Sequence, residues 1–185
     1  MEIGRAAAKI IRKKGFDATS MNDIAKAVGL TKAGLYYYTS SKQELLYKIS
    51  SFAMDKVEEE VVKPCLEIAE MKKRLRLIIN RQIQISVETG GEFTILTNEV
   101  NCLLPTHRRE IIGRKRDYLN VVRDTLKELK VSGELRNLDI TVAALNLFAT
   151  ILGMARWYRH DGKYSPERIS EEVTDFILGG LLLKP

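Results

Sequence analysis

Cysteine is nearly absent: the 185 residues hold two, Cys65 and Cys102. They stand far apart, and neither has a second Cys or a His at zinc-site spacing, so no metal framework is supported. A reduced cytoplasm is the setting this implies. Histidine is equally scarce, with only His107 and His160. Neither has a nucleophile pattern beside it, and Cys102 with His107 matches no established site signature, so catalysis and metal binding have little to rest on. Long apolar runs are missing as well. The longest, about Val142 to Ala155, is interrupted by Asn146, Thr150 and Gly153 and is shorter than the roughly 20 residues a spanning helix needs. The apolar start of the chain is broken by Lys9, Arg12, Lys13 and Lys14, so no export signal is expected. Nor does any segment sustain two-residue alternation with β-branched enrichment. Apolar residues recur instead at helical spacing, and the fold class expected is all-α.

What is present is ordinary globular material, 45% hydrophobic and 29% charged, rich enough in apolar residues to fold without staples. The net charge of +6 is unevenly spread. Residues 1–50 carry nine Lys or Arg against four Asp or Glu, which leaves the rest of the chain close to neutral. A basic end on a near-neutral body suggests a polyanion partner, nucleic acid before membrane; a merely solvated lysine face is the alternative.

The first helix is predicted over Glu2 to Lys14, with Ile3, Ala7, Ile10 and Ile11 on one face, stopping at Gly15. Ser20 is a good N-cap for a short helix from Met21 to Val28, with Asp23 in its first turn and Gly29 after it. Thr31 caps a second short helix, Lys32 to about Tyr38. Ser41-Lys42-Gln43-Glu44 reads as a capping box opening a long fourth helix that Pro64 ends or breaks. Further helices are expected over about Glu70 to Thr89, over Phe93 to Leu103, and from a cap at Thr106 to about Val131. Asp139 caps an unusually apolar helix to about Tyr158, and Ser165-Pro166 opens the last. The expectation is about nine helices in two domains, residues 1–48 and 49–185.

Two short helices joined by a glycine-containing turn and braced by a third make a helix-turn-helix. Ile24, Ala25, Val28 and Leu35 turn inward to hold the pair, and Gly29 permits a left-handed turn. Residues 15–46, GFDATSMNDIAKAVGLTKAGLYYYTSSKQELL, resemble the TetR-family signature: a Gly-aromatic turn, Thr/Ser, an Ile-Ala pair, a Gly turn, a Leu-Tyr recognition helix and Ser-Lys-x-x-Leu. Thr39 departs from it, standing where the family usually has Phe, which bears on the packing of the fourth helix. The resemblance implies a DNA-binding domain with Thr31, Lys32, Ala33 and Gly34 at the start of the recognition helix, facing base edges and the flanking backbone. It continues that surface through Tyr36, Tyr37 and Tyr38 and gives Thr19, Ser20 and Lys42 to phosphates. Plain structural readings stand beside two of these: Tyr36 as a packing residue, and Lys42 as a solvated lysine beside a capping box.

By the same resemblance the larger C-terminal part is a helical ligand-binding and dimerisation domain, and the last two helices of each subunit form the interface of a homodimer. Apolar stripes through Leu147, Ile151, Ile169 and Ile177 agree, although an ordinary buried helix would show them too. Gln82, Asn98, Asn101, Tyr118 and Asn146 interrupt apolar faces in the middle helices; a small-molecule inducer could partner them, as could ordinary core or surface contacts. Residues 153–170, GMARWYRHDGKYSPERIS, are similar to a Trp-Tyr-Arg-x-x-Gly…Ser-Pro-Glu-x-Ile pattern in TetR-type regulators of fatty-acid and sterol degradation, whose inducers are acyl-CoA thioesters. That similarity implies Arg156, Arg159 and Lys163 on CoA phosphates and Trp157 stacked on adenine. The plain reading is a helix C-terminus with cations on its dipole and an interface Trp. The function expected is a repressor that binds a palindromic double-stranded operator and is released by an inducer of the acyl-CoA kind, with no enzyme activity, cofactor or metal. Its rivals are a ligand-independent regulator and a small-molecule carrier or enzyme with an incidental basic end.

Overall fold

The computed structural model describes residues 2–89, 95, 98–158 and 162–183, the side chains of Glu2, Thr89, Ala155 and Arg156 excepted. Helix α1 (Glu2–Lys14) buries Ala7, Ala8 and Ile11 and ends at Gly15, whose φ of +84° is strained for any residue with a Cβ. Helices α2 (Met21–Ala27) and α3 (Lys32–Tyr38) bracket Gly29, at φ +68°. Helix α4 (Lys42–Val57) opens as the sequence suggests, the Glu44 N–H donating to Ser41 Oγ at 3.0 Å.

Pro64 does not break α4. The helix continues through a π turn (Glu58–Val62) into a last α turn (Lys63–Leu66), with Pro64 in the first positions of that segment. A helical proline lacks an N–H and presses on the carbonyl four residues back. The wider turn just upstream, in which the Lys63 N–H reaches Glu58 O, accommodates both defects without a kink into loop.

Helix α5 (Met71–Thr89) is followed, after a stretch largely outside the described residues, by a 3₁₀ turn (Val100–Cys102). Of the helix expected from Phe93 to Leu103, Phe93, Thr94, Leu96 and Thr97 lie outside the described residues. Helix α6 (Pro105–Val131) starts at the proline itself and not behind a Thr106 cap. At the first helical position a missing N–H costs nothing, and the Arg108 N–H closes the turn on Leu104 O at 2.8 Å. Helix α7 (Ile140–Trp157) is capped by Asp139, which accepts from the Val142 N–H at 2.9 Å, and α8 (Pro166–Leu181) by Ser165. Among the described residues the only β pairing is an isolated bridge, Leu135 with Leu182, and no helix is long and apolar enough to cross a membrane.

The chain divides into two compact units, residues 1–55 with 89–114, and residues 56–88 with 115–185. The boundary expected near residue 48 falls inside the first unit, which also takes in the first turns of α6. Tyr47 donates to Glu110 at 2.9 Å and stacks on His107 at 3.8 Å, and Arg114 pairs with Asp55 at 2.7 Å. The core of this unit is Ile11, Phe16, Ile24, Leu35 and Leu46, each contributing roughly 1.5–3 kcal/mol by burial. In the second unit the buried residues include Leu75, Ile78, Ile79 and Ile83 of α5, Val122 and Leu126 of α6, and Leu147 and Ile151 of α7.

A cavity of about 220 Å³ lies in the first unit, lined by Ile3, Gly4, Thr39, Leu45, Ile49 and Phe52. Thr39 is buried, with its hydroxyl donating to Ser41 O at 3.1 Å, so a residue smaller than the signature's Phe leaves room behind it. Gly4 faces the same space: a methyl there would meet Ile49 Cγ1 at 3.7 Å, an ordinary contact. Gly4→Ala is expected to stabilise the protein by about 0.5–1 kcal/mol through helix propensity. Urea denaturation reads this as a higher midpoint at unchanged m-value, and a lower midpoint would show that the space is not free.

Candidate nucleic-acid interface

The turn between α1 and α2 is held from several sides. The Thr19 hydroxyl donates to Gly15 O at 2.8 Å, and the residue is 1% exposed. Ser20 caps α2 in a reciprocal capping box: the Asp23 N–H donates to Ser20 Oγ, and the Ser20 N–H donates to Asp23 at 2.9 Å. The Ser20 hydroxyl and N–H, then Lys14, hold the Asp23 carboxyl down at a pKa of about 2. Lys42 reaches back from α4 and donates from its ammonium to the carbonyls of Phe16 (2.7 Å), Thr19 (2.9 Å) and Asp17 (3.4 Å), standing 4.3 Å from the centre of the Phe16 ring.

These contacts correct two of the expected phosphate clamps. The Thr19 side chain is sealed in the turn, and the Lys42 ammonium is bonded to three carbonyls, so neither stands free for a phosphate in this structure. Ser20 is exposed but serves as a cap. No local pattern signals the role of Lys42, which acts across 23 to 26 residues of chain.

Beyond Gly29, the Leu30 N–H closes on Ala25 O at 2.9 Å and Thr31 caps α3, accepting from the Gly34 N–H at 3.0 Å. Leu35 is fully buried and anchors the short helix. The opposite face is open. Thr31, Lys32 and Ala33 are exposed, Gly34 partly so, and Tyr36, Tyr37 and Tyr38 are 45%, 86% and 56% exposed. Tyr36 is thus the most covered of the three, with a little under half of its surface open. Tyr37 and Tyr38 meet edge to face at 5.4 Å, which pre-sets two phenols at modest entropy cost. Arg5, Lys9, Arg12, Lys13 and Lys14 of α1, and Lys26 of α2, are exposed in the same unit. Exposed phenol hydroxyls and cations on one unit suit phosphate oxygens and base edges.

The structure separates the residues expected to meet a ligand. Gln82 and Tyr118 are buried in the second unit. Asn98 and Asn101 are exposed and belong to the first unit. Asn146 is exposed too, on a groove of about 660 Å³ between α7 and α8 that also takes in Val142, Phe176 and Gly180. Trp157 is 58% exposed. Arg159 and the side chain of Arg156 lie outside the described residues. Among the described residues no cluster of three or more potential metal ligands occurs.

The family model for bacterial regulatory proteins of the tetR family matches residues 3–49, and the tetracyclin repressor-like C-terminal domain matches residues 69–181. The chain belongs to the TetR family. Among solved structures, this TetR-family protein is similar to AibR, crystallised in complex with isovaleryl coenzyme A and operator DNA, with 30% identity over 95% of each chain and a TM-score of 0.85. PfmR, a TetR-family transcriptional regulator of Thermus thermophilus, is 31% identical over all of both chains, with a TM-score of 0.86. The transcriptional repressor KstR2 of Mycobacterium tuberculosis is 22% identical over 97% of this chain and 91% of its own.

Two outcomes test the geometry. Lys42→Met is expected to lower stability by about 2 kcal/mol, the worth of charge-assisted hydrogen bonds, so that thermal melting moves; a lysine that only met phosphates would leave the melt unchanged. The Asp23 carboxyl has a folded pKa depressed from 3.8, so its capping contribution is complete above 3.8 and is lost as pH falls through about 2. The stability difference between wild type and Asp23→Asn should therefore shrink across that window, and a constant difference would contradict the assignment.

Proposed function

We propose that this TetR-family protein is a repressor that binds a palindromic operator as a homodimer and leaves it when an acyl-CoA thioester binds the second unit. The open tyrosine face of α3, anchored from behind by Leu35, is the observation that carries the reading. A rod that buries one apolar residue and shows three phenols to solvent has no structural need for them, whereas a major groove accepts a helix of this width. The similarity to AibR across nearly the whole chain supports both the operator and the thioester.

Apolar exposure supports the dimer. Val142, Leu145 and Phe176 are 55%, 51% and 73% exposed on α7 and α8, and the groove between these helices has exposed glycines, Gly179 and Gly180, where an added Cβ would meet nothing. A second copy brought in about a twofold axis covers such a face with its own equivalent. The two recognition helices then meet successive major grooves about 34 Å apart.

Release requires the effector to change that spacing. Helix α4 carries the reading head and is bonded to the first turns of α6 through Tyr47 to Glu110 and Asp55 to Arg114. The same helix carries Tyr118 about two turns later, so a shift of α6 on ligand binding would be delivered to α4.

Tyr37→Ala is expected to weaken operator binding at least tenfold, measured by fluorescence anisotropy on duplexes from the chain's own upstream DNA, with no change in melting temperature. The wild-type affinity should fall steeply with salt as counterions are released. Equal affinity of mutant and wild type would remove α3 as the reading element.

A further inference from the structure

Two polar side chains lie inside the second unit with no protein partner among the described residues. Gln82 is fully buried, and neither its carboxamide oxygen nor its nitrogen makes a hydrogen bond; Tyr118 is 7% exposed and its hydroxyl is likewise unpartnered. Their surroundings offer little. Ser86, one turn on from Gln82, donates its hydroxyl to the Gln82 backbone carbonyl at 2.8 Å. Cys65 donates to Val62 O, and Phe148 meets the Tyr118 ring edge to face at 5.0 Å. Burial, with Cys65 nearby, pushes the Tyr118 pKa upward, so the phenol stays neutral and a donor.

The register of the helices brings the pair together. Arg74 of α5 pairs with Glu128 of α6 at 2.9 Å, and Lys72 with Glu134, three residues past the end of α6: partner numbers fall as α5 numbers rise, so the two chain segments run antiparallel. Eight residues onward from Arg74 and eight back from Glu128 each rise about 12 Å, which sets Gln82 level with Asn120 and about 3 Å along the axis from Tyr118. Both side chains are buried in the second unit, and the proposal places them in one layer of its core.

We propose that Gln82 and Tyr118 together read the uncharged thioester and amide groups of an acyl-pantetheine arm, an inference that rests on the thioester-released repressor proposed above. The phenol supplies a donor for the thioester carbonyl. The carboxamide supplies one donor and one acceptor, matching the C=O and N–H of an amide in the pantetheine arm. A free carboxylate fits worse, since a buried anion needs a cation. Lys115, one turn before Tyr118 on α6, is only half-buried and already engaged, and desolvation lowers its ammonium pKa. Buried polar atoms that wait for a ligand also destabilise the free protein, so removing them should help the fold while harming recognition.

The variants Gln82→Met and Tyr118→Phe keep side-chain volume, and the probes are isovaleryl-CoA, S-isovaleryl-N-acetylcysteamine, which has the thioester and amide but no phosphates, and sodium isovalerate. Expected are free-protein melting temperatures at or above wild type and operator affinities within about twofold. Each substitution should weaken both thioesters about tenfold, and isovalerate should produce no thermal shift. The proposal is overturned if the variants melt lower and bind both thioesters as wild type does, or if wild type binds neither thioester. In that last case operator binding by the same preparation shows that the DNA half of the repressor reading stands, whereas thioester binding without operator binding supports the pair and sinks the repressor.

Discussion

The Lys42 ammonium is the point at which three helices of the first unit are joined. It draws the carbonyls of Phe16, Asp17 and Thr19 to the N-terminus of α4, so the exit of α1, the entry of α2 and the start of α4 become one rigid corner. Six residues further along α4, Lys48 donates to Tyr38 O at 2.9 Å, at the C-terminal end of α3. Two lysines of one helix thus grip the helix-turn-helix at its entry and its exit. The direction of the tyrosine face is then set by α4, because neither end of the pair can turn without breaking charge-assisted bonds.

A second set of contacts on α4 faces elsewhere. Tyr47, Ser51 and Asp55 recur every four residues and form one stripe. Glu110 takes the Tyr47 hydroxyl, and Arg114, one turn on, reaches Asp55 at 2.7 Å and Ser51 at 3.3 Å. The stripe has two rungs, which resist rotation of α4 about its axis better than one would. A helix held over residues 42–55 by lysines on the reading head and by this ladder on α6 is a lever fastened to both partners. Such a lever can transmit a displacement, which a helix packed by apolar contacts alone would absorb by rotamer changes.

What could be read from the sequence was short-range. The capping residues Ser20, Thr31, Asp139 and Ser165 act within three residues of themselves, and Gly15 and Gly29 announce their own backbone conformation. Helix boundaries followed from these, whereas the recognition face was implied only by the resemblance to the TetR signature. The roles of Thr19 and Lys42 did not, since a hydroxyl or ammonium that satisfies carbonyls across a chain reversal looks the same in sequence as one that meets a phosphate. Pro64 was legible as a defect but not in its outcome, because a π turn absorbs it without a sequence mark. Gln82 stands between Ile78, Ile79 and Ile83 and could be recognised as a polar residue on a buried face. Asn98, Asn101 and Asn146 showed a similar pattern yet are exposed, because periodicity identifies a stripe without saying which side of it water reaches.

The unpartnered pair also bears on how a ligand could move such a lever. A ligand shifts a conformational equilibrium only by the difference in its affinity for the two states, however tightly it binds either. Contacts equally available in both states contribute affinity and no signal. Unpaired buried groups are different: each costs about 1–3 kcal/mol until it is bonded, and only an arrangement of α5 and α6 that presents both to one ligand recovers that cost. The sum is of the order of the 1–3 kcal/mol by which allosteric sites are typically coupled. In the proposed repressor, bonding both Gln82 and Tyr118 to one ligand would therefore favour the ligand-bound conformation, a preference absent from the free protein, and Tyr118 lies on the helix whose first turns hold α4.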